Sequence, residues 1–229
     1  MRTRFDSLTT AHLADGCLRA GVPVRCAPAG MRPVAGGRLA GRVAPARHAG
    51  SVDVFLEAYE LADPGDVLVV DNGGRLDESC VGDLAVLEAR AAGLSGVVVW
   101  GLHRDTADVR EIGLPVFSLG PLPTGPLRLE PRPHGALESA RVGEWTLTRD
   151  DAAFGDEDGV LFVPVARVAE VLDLAEAVRD TERRQADGIR AGETLRGQLR
   201  FAQYLERRAA EPGWTLRDHL RAVGGAIEV

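Results

Sequence analysis

Lysine is absent from this 229-residue chain, so all 27 basic residues are arginine. No Schiff base can therefore form on a lysine side chain, whether with a carbonyl substrate or with pyridoxal phosphate. A phosphate loop of the Walker type loses its lysine as well. Carbonyl chemistry is left to a metal ion or to hydrogen-bond donors. Cysteine is scarce and odd in number. Cys17, Cys26 and Cys80 show no metal-like pairing, which predicts buried, reduced thiols in a cytoplasmic protein. No apolar run approaches the roughly 18 residues of a membrane span. The opening MRTRFDSLTTAH has no apolar stretch behind its arginines, which argues against a secretion signal. Basic excess is missing too: the net charge is −7 with both signs dispersed, so neither nucleic acid nor membrane is expected as a partner. GGRLAG at 36–41 lacks the strand-then-helix context of a nucleotide loop, and VLVVDNGG lacks the spaced glycines of a methyltransferase cofactor loop.

What is present centres on residues 81–105, VGDLAVLEARAAGLSGVVVWGLHRD. Its first half has helical periodicity, with Leu84, Leu87, Ala91 and Ala92 predicted on the buried face. Gly93 and Gly96 stop the helix, and Val97 to Trp100 reads as a strand covered on both faces. A helix and the strand that follows it run antiparallel, so the helix start and the strand end share one edge. Asp83, Arg104 and Asp105 are thereby predicted to converge beside the free N–H groups of a helix N-terminus. That is an anion site with acid and base groups next to it. A surface ion pair between Arg104 and Asp105 is the plainer alternative.

Along the rest of the chain, residues 6–21 predict a short helix burying Leu8, Ala11, Ala14 and Leu18 and ended by Gly21. Val34 and Leu39 to Val43 predict strands joined by a turn at Gly36-Gly37, and 51–62 a helix with Ser51 as N-cap. VLVVD (67–71) is a buried strand whose end opens a loop on the edge where α/β sheets place ligands. Residues 106–113 suggest a helical turn, LPVFSLG a strand, 120–135 a rigid proline- and glycine-rich surface loop, and 138–151 one or two strands. GDEDGVLFVP is an acidic turn running into a strand; the acidic cluster lacks the ligand spacing of a calcium loop. After it, Val168, Val171, Leu172, Ala175 and Val178 mark one helical face. A second helix is expected over 193–208, and a third opens at Thr215 with a capping-box variant. At 45% hydrophobic content the chain can bury one core, so a domain over 1–164 with a helical extension over 165–229 is expected. The extension is expected to pack on the core or on a neighbouring subunit.

TTAHLADG, PGDVLVVDNGG, VGDLA, GVVVWGLHRD, LPVFSLG and GDEDGVLFVP together resemble the class II pyruvate aldolases of the 4-hydroxy-4-methyl-2-oxoglutarate aldolase type and the RraA-like proteins that share their fold. The most specific element is an aspartate, twenty residues, then Arg-Asp: here Asp83 and Arg104-Asp105. In the family this pattern separates the aldolases from the RraA regulators of RNA degradation. The resemblance implies an α/β fold, a swivelling ββα sandwich of the RraA-like type with the C-terminal helices appended, assembled as a homotrimer or a dimer of trimers. It implies a divalent-metal-dependent lyase (aldolase and oxaloacetate decarboxylase) that releases pyruvate from a 4-hydroxy-2-oxo acid. Asp105 would anchor Mg²⁺ or Mn²⁺, largely hydrated. The metal and Arg104 would grip the C2 oxygen and stabilise a pyruvate enolate. Gly82 and the N–H groups of Leu84 and Ala85 would hold the carboxylate. Asp83 would order the water that exchanges the proton. Glu182, from a neighbouring subunit's C-terminal helix, is the best match for an acidic group that approaches the site. The chain departs from the family at Trp100, where Asp is common, and at His103; core packing is the simpler role for the first and a structural one for the second. An RraA-like regulator that binds an RNA-degradation enzyme, or a carboxylate-binding homologue without turnover, are the alternatives.

Overall fold

The computed structural model describes residues 1–224; the end of the expected extension, 225–229, lies outside the described residues. A single turn, α1 (Arg2–Phe5), precedes α2 (Thr10–Ala20). Thr9 caps α2 reciprocally with His12, and Gly21 ends it in the left-handed conformation. Short β1 (Arg25–Cys26) and β2 (Arg32–Ala35) lead to the long β3 (Leu39–Arg47). Then come α3 (Asp53–Leu61), β4 (Val67–Asp71), β5 (Ser79–Val81), α4 (Asp83–Ala91) and β6 (Gly96–Trp100). They are followed by β7 (Leu102–His103), α5 (Thr106–Ile112) and β8 (Val116–Ser118). After the 120–135 loop come β9 (Ala140–Val142), β10 (Trp145–Leu147), β11 (Asp151–Asp156) and β12 (Gly159–Pro164). The C-terminal helices are α6 (Val168–Arg190), α7 (Leu195–Gln198), α8 (Phe201–Ala210) and α9 (Leu216–Val223).

Eight strands form one curled sheet in the order β1-β12-β11-β3-β4-β6-β8-β2, with β3, β4, β6 and β8 mutually parallel. Side chains alternate between its faces, as the pleat requires. Leu68, Val70, Val97 and Val99 pack under α3, α4 and α5, while Val67, Val69 and Val98 face the inside of the curl with Phe117, Phe162 and the β9–β10 hairpin. Both faces of β4 and β6 are therefore dry, which is why their sequences are unbroken runs of valine and leucine. The expected α/β fold with C-terminal helices is the fold observed.

Several local expectations are corrected. On α4 the buried residues are Val86 and Ala89, while Leu84 and Leu87 are exposed. The phase of that helix is set by packing onto the sheet, where Val86 and Ala89 fit under Val81 and Val99, and not by the bulkiest side chains. On α2 the buried face is Thr10, Leu13, Gly16 and Cys17, and Leu18 is half exposed; Leu8 is buried but precedes the helix. Here close approach decides: a methyl group on Gly16 would lie 2.6 Å from the carbonyl oxygen of Val171 on α6. Backbone contact of this kind needs glycine. The strands on either side of Gly36-Gly37 do not pair with each other, since β2 joins β8 and β3 joins β4 and β11. β11 was not anticipated, and the acidic turn shrinks to Glu157-Asp158 between β11 and β12. Asp156 is structural: its carboxylate accepts from Thr10 N–H and Thr10 Oγ1, both at 2.7 Å. The single helix expected over 193–208 is two, broken at Arg200, which is left-handed with φ 48°. The apolar face of α6 is the one anticipated, and it lies on α2.

Candidate active site

Parallel pairing brings the site together. β4 and β6 end in register at Asp71 and Trp100. The chain leaves β4 through loop 72–78, and β5 then pairs in parallel with β7, Ser79 opposite Leu102 and Val81 opposite His103. Arg104 N–H donates to the Val81 carbonyl at 2.9 Å, so residues 82–83 and 104–105 lie side by side although about twenty residues separate them. Gly82 is the N-cap of α4, in an extended conformation open to any residue (φ −131°, ψ −169°). Its reason is space: a methyl group there would lie 2.4 Å from Asp105 Oδ2 and 3.3 Å from the Arg104 side chain. Arg104 Nε is 3.2 Å from Asp105 Oδ2. Asp105 itself is left-handed (φ 56°), a conformation that costs a non-glycine residue energy and recurs at functional positions.

A cavity of about 480 Å³ opens at this edge. Gly82, Asp83, Leu84, Ala85 and Arg104 line it, with Ser79 and Cys80 from β5, His48 and Gly50 to Val52 from the β3–α3 connection, and Pro126 and Leu129 from the long loop. Tyr59 Oη donates to the Ala85 carbonyl at 2.8 Å and ties the first turn of α4 to α3. The first intrahelical bond of α4 runs from Val86 N–H to Gly82 O, which leaves the N–H groups of Leu84 and Ala85 at the helix start for a ligand. Among the described residues no hydrogen bond or ion pair reaches the Asp83 carboxylate. An uncommitted carboxylate, a guanidinium and free amide donors in one open cavity can bind an anion and move a proton beside it.

The predicted residues Gly82, Asp83, Leu84, Ala85 and Arg104 are thus brought together, with Asp105 against Gly82 but outside the cavity lining. Glu182 is not brought there within the chain; its carboxylate is 2.9 Å from His12 Nε2, where α6 meets α2. His103 is buried and both ring nitrogens are engaged, Nδ1 with Ser118 Oγ at 2.7 Å and Nε2 with Thr106 Oγ1 at 2.9 Å. Burial lowers its pKa, and the ring serves structure. Trp100 packs its ring over Gly74 and does not line the cavity.

A buried polar network behind the cavity escaped the sequence reading. Glu78, fully buried, accepts from Arg128 Nε at 3.0 Å and from Leu127 N–H at 2.8 Å. Arg128 Nη2 donates to Asn72 Oδ1 and to the His48 carbonyl, and His48 Nδ1 bonds Asn72 Oδ1 at 2.9 Å. The one signal for these residues was position: His48 and Asn72 directly follow the C-terminal ends of β3 and β4.

Among the described residues no group of three or more His, Cys, Asp or Glu is placed to hold a metal. A hydrated hard cation asks for less, since Mg²⁺ keeps several waters and commonly takes one or two carboxylates. Asp105, about one-third exposed with a single ion pair, fits that demand.

The sequence model of the RraA-like family, described as Aldolase/RraA, matches residues 10–162. Protein DlpA of Legionella pneumophila subsp. pneumophila is 34% identical over 132 residues, covering 56% of this chain and 21% of that protein. The chain thus spans about a fifth of the length of that curated relative. An uncharacterized protein from Pseudomonas syringae pv. tomato has a similar structure, with TM-score 0.71, 27% identity, and coverage of 85% of this chain and 96% of that one. Streptomyces coelicolor RraAS2, an unusual member of the RNase ES inhibitor RraA protein family, also has a similar structure, with TM-score 0.66, 25% identity, and coverage of 79% of this chain and 92% of that one.

Proposed function

This chain belongs to the RraA-like family, Aldolase/RraA, which includes aldolase or decarboxylase enzymes and RNase E inhibitors, and from that premise we propose that it is a divalent-metal-dependent lyase. It cleaves a 4-hydroxy-2-oxo acid to pyruvate and, by the same logic, decarboxylates oxaloacetate. The observation that carries this reading is the shared cavity of Asp83 and Arg104 at the start of α4, with Asp105 seated on Gly82. Asp105 would hold the Mg²⁺ or Mn²⁺ ion, whose contribution when bound is Lewis-acid polarisation of a keto oxygen.

The chain's own groups do the rest. Leu84 and Ala85 N–H, beside Gly82, receive the substrate carboxylate at the positive end of the α4 dipole. Arg104 donates to the C2 oxygen. Asp83 orients a water that takes the proton of the C4 hydroxyl, the C3–C4 bond breaks, and its electron pair places negative charge on the C2 oxygen facing Arg104. Proton return to C3 gives pyruvate. Charge that develops only as the bond breaks is where a fixed cation is most effective.

The assembly is a homotrimer or a pair of trimers in this reading, with Glu182 of a neighbouring chain approaching the pocket. Val52, Leu84 and Leu129 line the cavity and are exposed, and Leu56 on α3 and Leu87 on α4 are exposed as well, which suits coverage by a second copy. A lactate-dehydrogenase-coupled assay over a panel of 2-oxo acids, with and without metal, tests the proposal. Pyruvate release should vanish with EDTA and return with Mg²⁺ or Mn²⁺. Arg104→Ala should lower turnover by roughly 100-fold or more, and an unchanged rate rejects the assignment. The likeness to Streptomyces coelicolor RraAS2 favours one second reading, a regulator that binds an RNA-degradation enzyme. Capture of such an enzyme by a protein that binds no metal and releases no pyruvate would replace the lyase with it.

A further inference from the structure

A second cavity, of about 410 Å³, opens at the same edge of the sheet, inside the curl. Along β3 and β4 alternate residues point inward, and Val43, Val67 and Val69 are packed there. Arg47 and Asp71 hold the last inward positions, opposite each other in parallel register, so the dry interior ends in a charged layer. The β9 region covers this layer: Arg47 Nη2 donates to Ser139 Oγ at 2.9 Å, and Arg141 N–H donates to Asp71 Oδ2 at 3.0 Å.

The charged side chains that line it are Arg47, Asp71, Arg128, Glu130 and Arg141. Arg128 is spent on Glu130 and on buried Glu78, which Arg75 also meets. His48 lines the cavity too, but burial lowers its pKa and the ring carries no charge at neutral pH. Asp71 accepts one N–H at each oxygen, from Gly73 at 2.9 Å and from Arg141. An ionised carboxylate has about four acceptor sites, so Asp71 can take further donors. Arg47 is half-buried and Arg141 exposed, and among the described residues neither guanidinium has a carboxylate within ion-pair distance. A half-buried cation without a counter-charge is costly, and a carboxylate is the group that the planar guanidinium fork fits. Two cations and one carboxylate are therefore left to a ligand, beside the Ser139 and Thr146 hydroxyls.

We propose that this cavity is a second ligand site and that it binds an acidic α-amino acid, with the two carboxylates on Arg47 and Arg141 and the ammonium on Asp71. Two anions and one cation on the ligand then meet two cations and one anion on the protein. A dicarboxylate without the ammonium would set its charge against Asp71, and an amino acid with one carboxylate would leave one arginine unanswered. The inference does not depend on the lyase reading: of the residues that line the Asp83–Arg104 cavity, only His48 lines this one as well.

Calorimetric titration in EDTA, with L-glutamate and L-aspartate as probes, tests it. Glutarate and succinate lack the ammonium, and L-glutamine and L-asparagine lack the second carboxylate. The better-bound acidic amino acid should exceed each of its own two counterparts in affinity by about tenfold or more, the worth of one hydrogen-bonded charge. Arg141→Ala removes an exposed side chain that has no partner to lose, and should weaken that binding by about tenfold or more. Asp71→Asn should erase the preference over the dicarboxylate. Because Asp71 is buried and that variant is at risk of misfolding, Arg141→Ala decides alone where it does not fold. Arg104→Ala, in the other cavity, should bind as the wild type does. Saturable binding of neither amino acid, equal or tighter binding of the dicarboxylate, or binding lost in Arg104→Ala and kept in Arg141→Ala overturns the inference.

Discussion

Gly82 shows how a single residue can govern the site without carrying chemistry. Its backbone angles suit alanine, so Gly82→Ala isolates the contact between the added methyl and Asp105 Oδ2, 2.4 Å away. Metal affinity, read by titration of Mn²⁺ against the protein, should fall by roughly 10–100-fold, the range seen when a ligand's support is disturbed. The melting temperature should drop only by the small amount expected for alanine at an N-cap. Unaltered Mn²⁺ binding in that variant would mean that Asp105 is not the ligand. His103 teaches the converse: a histidine next to Arg104 in sequence is taken up by Ser118 and Thr106, and no ligand need be invoked for it.

The long loop of residues 120–135 acts as an element although it has neither helix nor strand. Leu127 N–H and Arg128 bind buried Glu78, Glu130 N–H binds the Ala49 carbonyl at 2.9 Å, and Pro126 and Leu129 face the cavity. Burial by itself would push the Glu78 carboxyl up, but the Leu127 N–H and the Arg128 guanidinium outweigh it and hold the group below the ordinary value of 4.5. A depressed carboxylate stabilises the fold above the unfolded pKa, and that stability is lost as pH falls through the folded pKa. Urea titrations should therefore show a stability decline beginning below about pH 4.5. Arg128→Ala should cost about 1.5–3 kcal/mol at pH 7, the range for a hydrogen bond to a charged group, because Glu78 keeps Leu127 N–H and the Arg75 guanidinium, whose Nε lies 3.3 Å from Glu78 Oε1. Loss of Arg128 raises the Glu78 pKa relative to wild type, so the gap between variant and wild type should narrow on acidification. A constant gap across that window would show that Arg128 contributes through packing alone. The α2–α6 contact makes a parallel point: Gly16 lets two helices touch, and the apolar face of α6 finds its cover there.

At the scale of the whole molecule, Glu182 and Asp105 belong to different places on one chain, Glu182 being held by His12. If the neighbour's Glu182 completes each site of a trimer, Asp105→Asn and Glu182→Gln should each be inactive, and trimers reassembled from an equal mixture should regain up to about a quarter of wild-type activity by random assortment. Light scattering fixes the assembly in the same samples. Full activity of Glu182→Gln alone, or no recovery in confirmed mixed trimers, would remove Glu182 from the site.

Sequence by itself determined the strands covered on both faces, because unbroken Val-Leu runs have one stable environment in an α/β fold. It likewise determined the face of α6 and the meeting of Asp83 with Arg104, because a helix and its following strand must run antiparallel and share an edge. Tertiary structure alone decided which side of α2 and α4 is buried, since close backbone approach at Gly16 and the fit of Val86 and Ala89 outweigh side-chain bulk. It alone decided the partners of β2 and β3, which are set by the curl of the sheet and not by the glycine turn between them. His48, Asn72, Glu78 and Arg128 lie up to eighty positions apart with no shared motif, and only the folded chain puts Glu78 out of reach of water and so makes their hydrogen bonds obligatory.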